Sequence, residues 1–444
     1  MGRKLRRRGK PGRKAAQLDP SPFELTVESL GARGDGIARH KGQPVYVFDA
    51  LPGERVSLRP ETREGQGLRA RRLALLEASA ERVEAPCPQF GDCGGCDLQH
   101  LAEAGYRDWK RDLLVAALQR RGFGEAEELV QPLQAVEPGR RRRATWALRK
   151  DGKAVRLGFR ARASHRIVDQ QDCLQLLPEL RDLAKALRPL FADLAVQGQE
   201  GQARATLCDN GIDLVLSLER ELDLAQREEL AAFADRNNLA RLSIGTSEGE
   251  QQLLAERRRP SLRFGDIVVA PPPDGFLQPS KKGEALLVRS VLDAIPSDLK
   301  TVADLYAGCG TFALPLLARG QRVLAVEGHR PSLGALETAA RSSGLGTQLT
   351  SEVRDLERRP LARETLSALD ALVFDPPRAG AAALSAALAE AGPPLVVAVS
   401  CSPQSFARDA RTLVEGGYRL ESALPVDQFP WSHHLEIVAV FRRS

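Results

Sequence analysis

The chain has 444 residues, 43% of them hydrophobic, with 7 cysteines and a formal net charge of +6. That length suits two to four domains, and no stretch approaches the ~20 uninterrupted apolar residues of a membrane span. The basic N-terminus has no apolar stretch behind it, so no secretory signal is expected, and an odd cysteine count in a cytoplasmic chain makes a poor disulfide framework.

Eight basic side chains and no acid occupy the first 14 residues, more than the whole net charge, so the rest of the chain is slightly acidic. Residues 1–20 read as a disordered basic tail suited to polyphosphate. In 21–83, "FELTV", "PVYVF" and "GERVSLRP" are short alternating strands with Gly-rich connections, which predicts a small β-barrel of oligonucleotide-binding type. Residues 84–275 open on "APCPQFGDCGGCDLQH", with Cys87, Cys93 and Cys96 inside ten residues. A helix is expected over Leu98–Phe123 with Trp109 in its core face, then strands at "RATWALRK" and "VRLGFRA" and helices around Leu176–Leu194. The runs Arg140–Arg143 and Arg257–Arg259 read as solvated faces. Residues 276–444 alternate apolar strands with helices, which predicts a doubly wound parallel sheet binding its ligand at the carboxyl ends of the strands. The fold class is therefore multidomain α/β, with an α+β middle part.

Chemistry concentrates at those strand ends. Gly308-Cys309-Gly310 allows a tight turn beside a ligand, and Glu327 ends the next strand 19 residues after Gly308, where a carboxylate accepts from both ribose hydroxyls. The third glycine of a dinucleotide fingerprint is missing, which favours S-adenosylmethionine, a donor without pyrophosphate, over NAD. "VFDPPRAG" puts Asp375 at a strand end before a rigid Pro376-Pro377 turn; the plainer reading is a turn or helix cap. Amino-group methyltransferases follow a similar acid-Pro-Pro with an aromatic residue, whereas Arg378 follows here. Cys401 ends another buried strand, beside Ser400 and Ser402 and ahead of a helix N-terminus able to lower its pKa, a better place for a nucleophile than for a packing residue. Carbon 5 of uracil takes a methyl group only after a thiolate has added to carbon 6, and a base must then remove the carbon-5 proton. Glu436 in "HHLEIVAVF" is a candidate for that base. With Cys173 the early cysteines form a four-thiol set with 5, 2 and 76 intervening residues. Zinc and an iron–sulfur cluster both accept four thiolates, and Gly94-Gly95, freeing amides to approach sulfur, suits a cluster slightly better. Cys208 and Cys309 read as packing residues.

In their order along the chain, "CPQFGDCGGCDLQH", "IVDQQDC", "FLQ", "DLYAGCGTFALP", "DPPRAG", "SCSPQSFARD" and "HHLEIVAVF" resemble the RNA (uracil-5-)-methyltransferase family. The likeness runs from Phe23 to the C-terminus and is to the 23S ribosomal RNA members with a TRAM domain and a 4Fe-4S cluster. The resemblance implies an OB-like TRAM barrel, a cluster-bearing central domain and a Rossmann-like class I methyltransferase domain. It implies cluster ligation by Cys87, Cys93, Cys96 and Cys173, and adenosylmethionine contacts from Gln278, Tyr306, Glu327 and Asp375, with Thr311 and Asp355 near further contact positions. Cys401 would be the nucleophile and Glu436 the base. The expected partner is RNA, with no membrane, and the enzyme is taken as a cytoplasmic monomer. "FLQPS" departs from the pattern after Gln278, and the basic tail lies outside it. The rival readings are a transfer RNA uracil-5 methyltransferase, an RNA cytosine-5 methyltransferase, and a non-enzymatic RNA-binding iron–sulfur redox sensor. The cluster is expected to shape an RNA-binding surface and to take no part in methyl chemistry.

Overall fold

The computed structural model describes residues 18–245, 251–273 and 275–443, so the basic tail through residue 17 lies outside the described residues. The chain divides into two compact units, Met1–Arg82 and Val83–Ser444.

In the first unit, β1 (Phe23–Thr26), β2 (Ser29–Leu30), β3 (Gly36–His40), β4 (Gln43–Val47), β5 (Arg55–Glu64) and β6 (Gly67–Glu77) form one sheet in the order β1-β5-β6-β4-β3-β2. Alternation decides which face is inside: Val45, Val47, Val56 and Leu58 are fully buried while their neighbours along each strand are not. Three of the strands, β1, β4 and β5, are those read from the sequence. Arg82 closes the unit on the buried Glu54 at 2.5 Å and on Asp49 at 3.0 Å.

The second unit begins with the cysteine loop, then α1 (Glu103–Gln119), α2 (Ala126–Leu129) and β7 (Gln134–Ala135). The helix starts later than periodicity suggested because Leu98 and Leu101, though buried, lie in the preceding turns; Trp109 is core, as read. A seven-stranded sheet follows, made of β8 (Arg143–Asp151), β9 (Ala154–Arg160), β10 (Ile167–Asp169), β11 (Glu200–Cys208), β12 (Gly211–Leu218), β13 (Leu239–Gly245) and β14 (Gln252–Glu256). It packs α3 (Pro178–Leu194) and α4 (Leu224–Arg236) around Trp146, Phe191 and Leu214. The short hairpin β15 (Leu262–Phe264) and β16 (Ile267–Val269) leads to α5 (Lys281–Ala294).

The last sheet has eight strands in the order β19-β18-β17-β20-β21-β23-β22-β7. These are β17 (Thr301–Leu305), β18 (Arg322–Glu327), β19 (Leu349–Val353), β20 (Ala371–Phe374), β21 (Leu395–Ser400), β22 (Arg419–Asp427) and β23 (Glu436–Arg442). Helices α6 (Ala313–Ala318), α7 (Arg330–Ser342), α8 (Arg363–Ser367), α9 (Ala382–Ala391) and α10 (Pro403–Glu415) link them. Strands β17 to β21 are parallel, β23 runs antiparallel between β21 and β22, and β7 from far earlier in the chain extends the edge beside β22. Every residue of β20 and β21 is buried, because helices cover both faces of a parallel sheet. Strand order reverses at β17, whose neighbours are β18 and β20, so the loops after β17 and β20 part and leave a crevice at the carboxyl ends. No helix among the described residues is long and apolar enough to cross a membrane.

Candidate active site

After β17 the backbone turns through Tyr306 (φ 64°), Gly308 (φ 54°) and Gly310 (φ 99°). A Cβ on Gly310 would stand 2.6 Å from Leu336 Cδ1, so only glycine serves there, whereas Gly308 faces open space. Asp304 anchors the turn by accepting from the Ala313 N–H at 2.8 Å, and burial pushes its carboxyl well above the usual range. Glu327, at the end of β18, accepts from the Gly308 N–H at 2.9 Å and the His329 N–H at 2.7 Å. Each carboxylate oxygen keeps a second lone pair for a diol. The Tyr306 hydroxyl donates to Glu357 at 2.8 Å, and Asp355 accepts from the Glu357 N–H at 3.1 Å.

Asp375 follows β20 and receives the Gln278 side-chain amide at 3.2 Å. The Gln278 side-chain oxygen in turn accepts from the Gln428 amide at 2.6 Å, and Gln428 opposes the upward push that burial gives Glu436. Two glutamines thus link Asp375 to the start of the β22–β23 turn. Burial pushes both Asp375 and Glu436 above the usual carboxylate range, and Asp375 raises Glu436 further, so ionising both at once is disfavoured. Glu436 opens β23 and is 4% exposed, which removes it from the solvent-facing role common for glutamate in a strand.

Cys401 follows β21, and Ser402, not the thiol, caps α10. The sequence suggested a lowered thiol pKa; the structure has the reverse. Burial, then Glu436 and Asp375, push the Cys401 thiol up to about 11 against the opposing Arg378. The Ser402 hydroxyl takes the Ser405 N–H at 3.4 Å, and Pro403 at the first helical position has no N–H to offer a thiolate.

The crevice opens into one cavity of about 1170 Å³. Cys401, Glu436, Asp375, Gln278, Tyr306, Glu327 and Asp355 all line it; Thr311 does not. Cys87, Cys93, Cys96 and Cys173 line it as well. Burial pushes the Cys96 thiol up to about 12 and the Cys173 thiol to about 11, and the other cysteines of the set add to both. Thiols buried in this way would be held charged only by a cationic group bound among them. Among the described residues, no group of three or more His, Cys, Asp or Glu is gathered closely enough to hold a metal ion. Of the two glycine amides expected near sulfur, that of Gly95 opposes the upward push that burial gives the Cys93 thiol, while that of Gly94 goes to the Arg160 carbonyl at 3.0 Å. Cys208 and Cys309 are buried, as packing residues would be.

The Arg140–Arg143 run is not a solvated face beyond Arg140. Arg142 is 2% exposed, donates to the Gln278 carbonyl at 3.0 Å and pairs with Glu284 at 2.5 Å, while Arg143 donates to the Leu277 carbonyl at 2.8 Å. These contacts hold the segment that carries Gln278. Sequence reasoning also passed over Gln428 and the buried set of Tyr106, Lys110 and Asp427, in which Lys110 reaches Asp427 at 2.9 Å. One signal was present: Lys110 sits on the apolar stripe of α1 with Tyr106 and Leu114, four residues to either side.

Residues 214–444 match the family model described as tRNA (Uracil-5-)-methyltransferase. An RNA methyltransferase of Brucella suis, named as uncharacterized, is 41% identical over 421 residues, covering 95% of this chain and 98% of its own. The 23S rRNA (uracil(1939)-C(5))-methyltransferase of Shewanella sediminis is 33% identical over 428 residues, covering 94% and 95%. Among solved structures, the Pyrococcus abyssi tRNA (uracil-54, C5)-methyltransferase in complex with S-adenosyl-L-homocysteine shares the fold at a TM-score of 0.72 and 20% identity, covering 94% of this chain and 100% of that one. With more than half its length matched by the family model and a full-length relative at 41% identity, the chain belongs to the RNA uracil-5 methyltransferase family.

Proposed function

We propose that the protein transfers a methyl group from S-adenosylmethionine to carbon 5 of a uridine in 23S ribosomal RNA, through an adduct between Cys401 and carbon 6 of the base. The carrying observation is the convergence of the Cys401 thiol and the Asp375 and Glu436 carboxyls on the cavity that also receives the Glu327-held turn. Glu327 would take the ribose diol, with Gln278, Tyr306, Asp355 and Asp375 around the rest of the donor; Thr311 is carried by resemblance alone. The Cys401 thiolate adds to carbon 6, and carbon 5, now enolate-like, takes the methyl group from the sulfonium, leaving S-adenosylhomocysteine. The Glu436 carboxylate then removes the carbon-5 proton, the ring double bond re-forms and the thiolate leaves. Cys87, Cys93, Cys96 and Cys173 would hold a 4Fe-4S cluster, which supplies folding free energy through ligation. The first unit is read as a TRAM barrel that binds RNA.

The ribosomal target is supported by the Shewanella relative, whereas the Pyrococcus enzyme named for transfer RNA is alike in fold only. The test supplies radiolabelled methyl donor with 23S transcripts or with transfer RNA, maps the product by mass spectrometry, and repeats the reaction with 5-fluorouridine RNA. Label in 23S RNA and a trapped Cys401 complex are expected. Label in transfer RNA alone would move the substrate, and turnover by Cys401→Ala would remove the adduct. Protein purified without oxygen is expected to be brown, with iron and sulfide in near-equal amounts; colourless protein with stoichiometric zinc would replace the cluster.

A further inference from the structure

The turn between β22 and β23 ends at Glu436, and its shape is set largely from outside. Within the turn, Trp431 sits at φ 60°, a strained conformation for a bulky side chain. Its carbonyl accepts from the backbone N–H groups of Asp97 at 2.6 Å and Leu98 at 3.0 Å. The Asp97 carboxylate accepts from the His433 N–H at 2.9 Å and pairs with His433 Nδ1 at 2.7 Å. Its other oxygen is held by Arg162. The Gln175 amide donates to the Pro430 carbonyl at 3.0 Å, and the Arg141 guanidinium lies 5.7 Å from the Phe429 ring centre. Asp97 directly follows Cys96, and Gln175 is two residues past Cys173. Residues beside the third and fourth cysteines of the set therefore grip the turn that delivers Glu436.

We propose that Asp97 and Gln175 are positioning residues for Glu436, so that the cysteine region governs the proton-removal step. This revises the expectation that the region stands apart from methyl chemistry, and it rests on the reading of Glu436 as the base. His433 lies three residues before Glu436, and a misplacement of about 1 Å in a reacting group costs on the order of a hundredfold in rate. The adenosylmethionine contacts come from other loops, and the one link from this turn, Gln428 to Gln278, lies at its β22 end, ahead of the clamped Pro430–His433, so donor binding and methyl transfer should change far less than release.

The test uses the full-length protein with Asp97→Ala and, independently, Gln175→Met, each compared with Glu436→Gln in single turnover on substrate RNA. Thermal midpoint and adenosylmethionine affinity are measured for each. The clamp predicts wild-type donor affinity, methyl transfer within about twofold, and release of the methylated covalent complex slowed about tenfold or more, seen as a band that persists on a denaturing gel. Asp97→Asn, which keeps one acceptor for the His433 N–H, should restore part of the release rate. Folded variants that release product at the wild-type rate, or lose transfer and release in equal proportion, overturn the proposal. If Glu436→Gln accumulates the complex and the clamp variants do not, only the clamp fails. If Glu436→Gln does not accumulate it, the assignment of the base fails and takes the clamp with it.

Discussion

At the scale of single residues, the site combines groups that are each quiet in the free protein. A thiol pushed up to about 11 is almost wholly protonated at neutral pH. Alkylation of Cys401 by iodoacetamide, followed by peptide mass spectrometry, should therefore be slow and should accelerate with pH into the alkaline range. Glu436→Gln removes the charge that, after burial, does most to raise the thiol, so the same measurement near pH ~8 should show faster labelling. Labelling of the wild-type thiol as fast as a free cysteine would contradict the burial argument. A second consequence concerns pH. A carboxyl raised above its usual range is ionised only at higher pH, and a base must be ionised to accept a proton. The acid limb of kcat should thus lie above the ordinary carboxylate region, with activity lost as pH falls through it. Asp375→Asn, by removing the like charge, should move that limb to lower pH; an unmoved limb would assign it to another group.

At the scale of elements, the strand ends were legible and their surroundings were not. Cys401, Asp375 and Glu327 each close a run of apolar residues, and β20 and β21 are buried throughout, so pattern alone marked those positions. The direction of the Cys401 shift was not legible, because the carboxyls that cause it arrive from β20 and β23. The Arg140–Arg143 run misled for the same reason: a charge run is a solvated face unless a distant segment covers it, and here the Gln278 loop and α5 cover Arg142. That burial makes a prediction. Arg142→Ala leaves Glu284, whose carboxyl burial pushes upward, without its partner, and should cost about 3–5 kcal/mol by denaturant unfolding. Adenosylmethionine affinity should fall with it, since the Gln278 carbonyl loses its donor. The paired replacement Arg142→Met with Glu284→Leu should recover most of the stability and little of the affinity. If the pair recovers both, Arg142 serves packing alone and does not hold Gln278.

At the scale of the whole molecule, the question is where the charge that meets RNA resides. Between Phe23 and Arg82 there are ten basic and nine acidic side chains. Arg55, Arg69, Arg72 and Arg82 are engaged in ion pairs with acids of the same unit. The first 14 residues instead hold eight basic groups and no acid. Counterion release makes binding weaken with salt in proportion to the phosphates neutralised, at a slope near −0.7 for each on single strands. Deleting residues 1–14 should therefore flatten the salt dependence of RNA binding, by at most about 6 in slope. Deleting residues 1–82 should flatten it little further while lowering affinity at every salt concentration, because what the sheet adds is chiefly non-ionic contact. Residues 83–444 form a compact unit and hold all the proposed donor contacts, so adenosylmethionine affinity by calorimetry should be unchanged in both truncations. A slope that falls only on removal of the sheet would place the electrostatic work in the strands and leave the tail without a role in binding RNA.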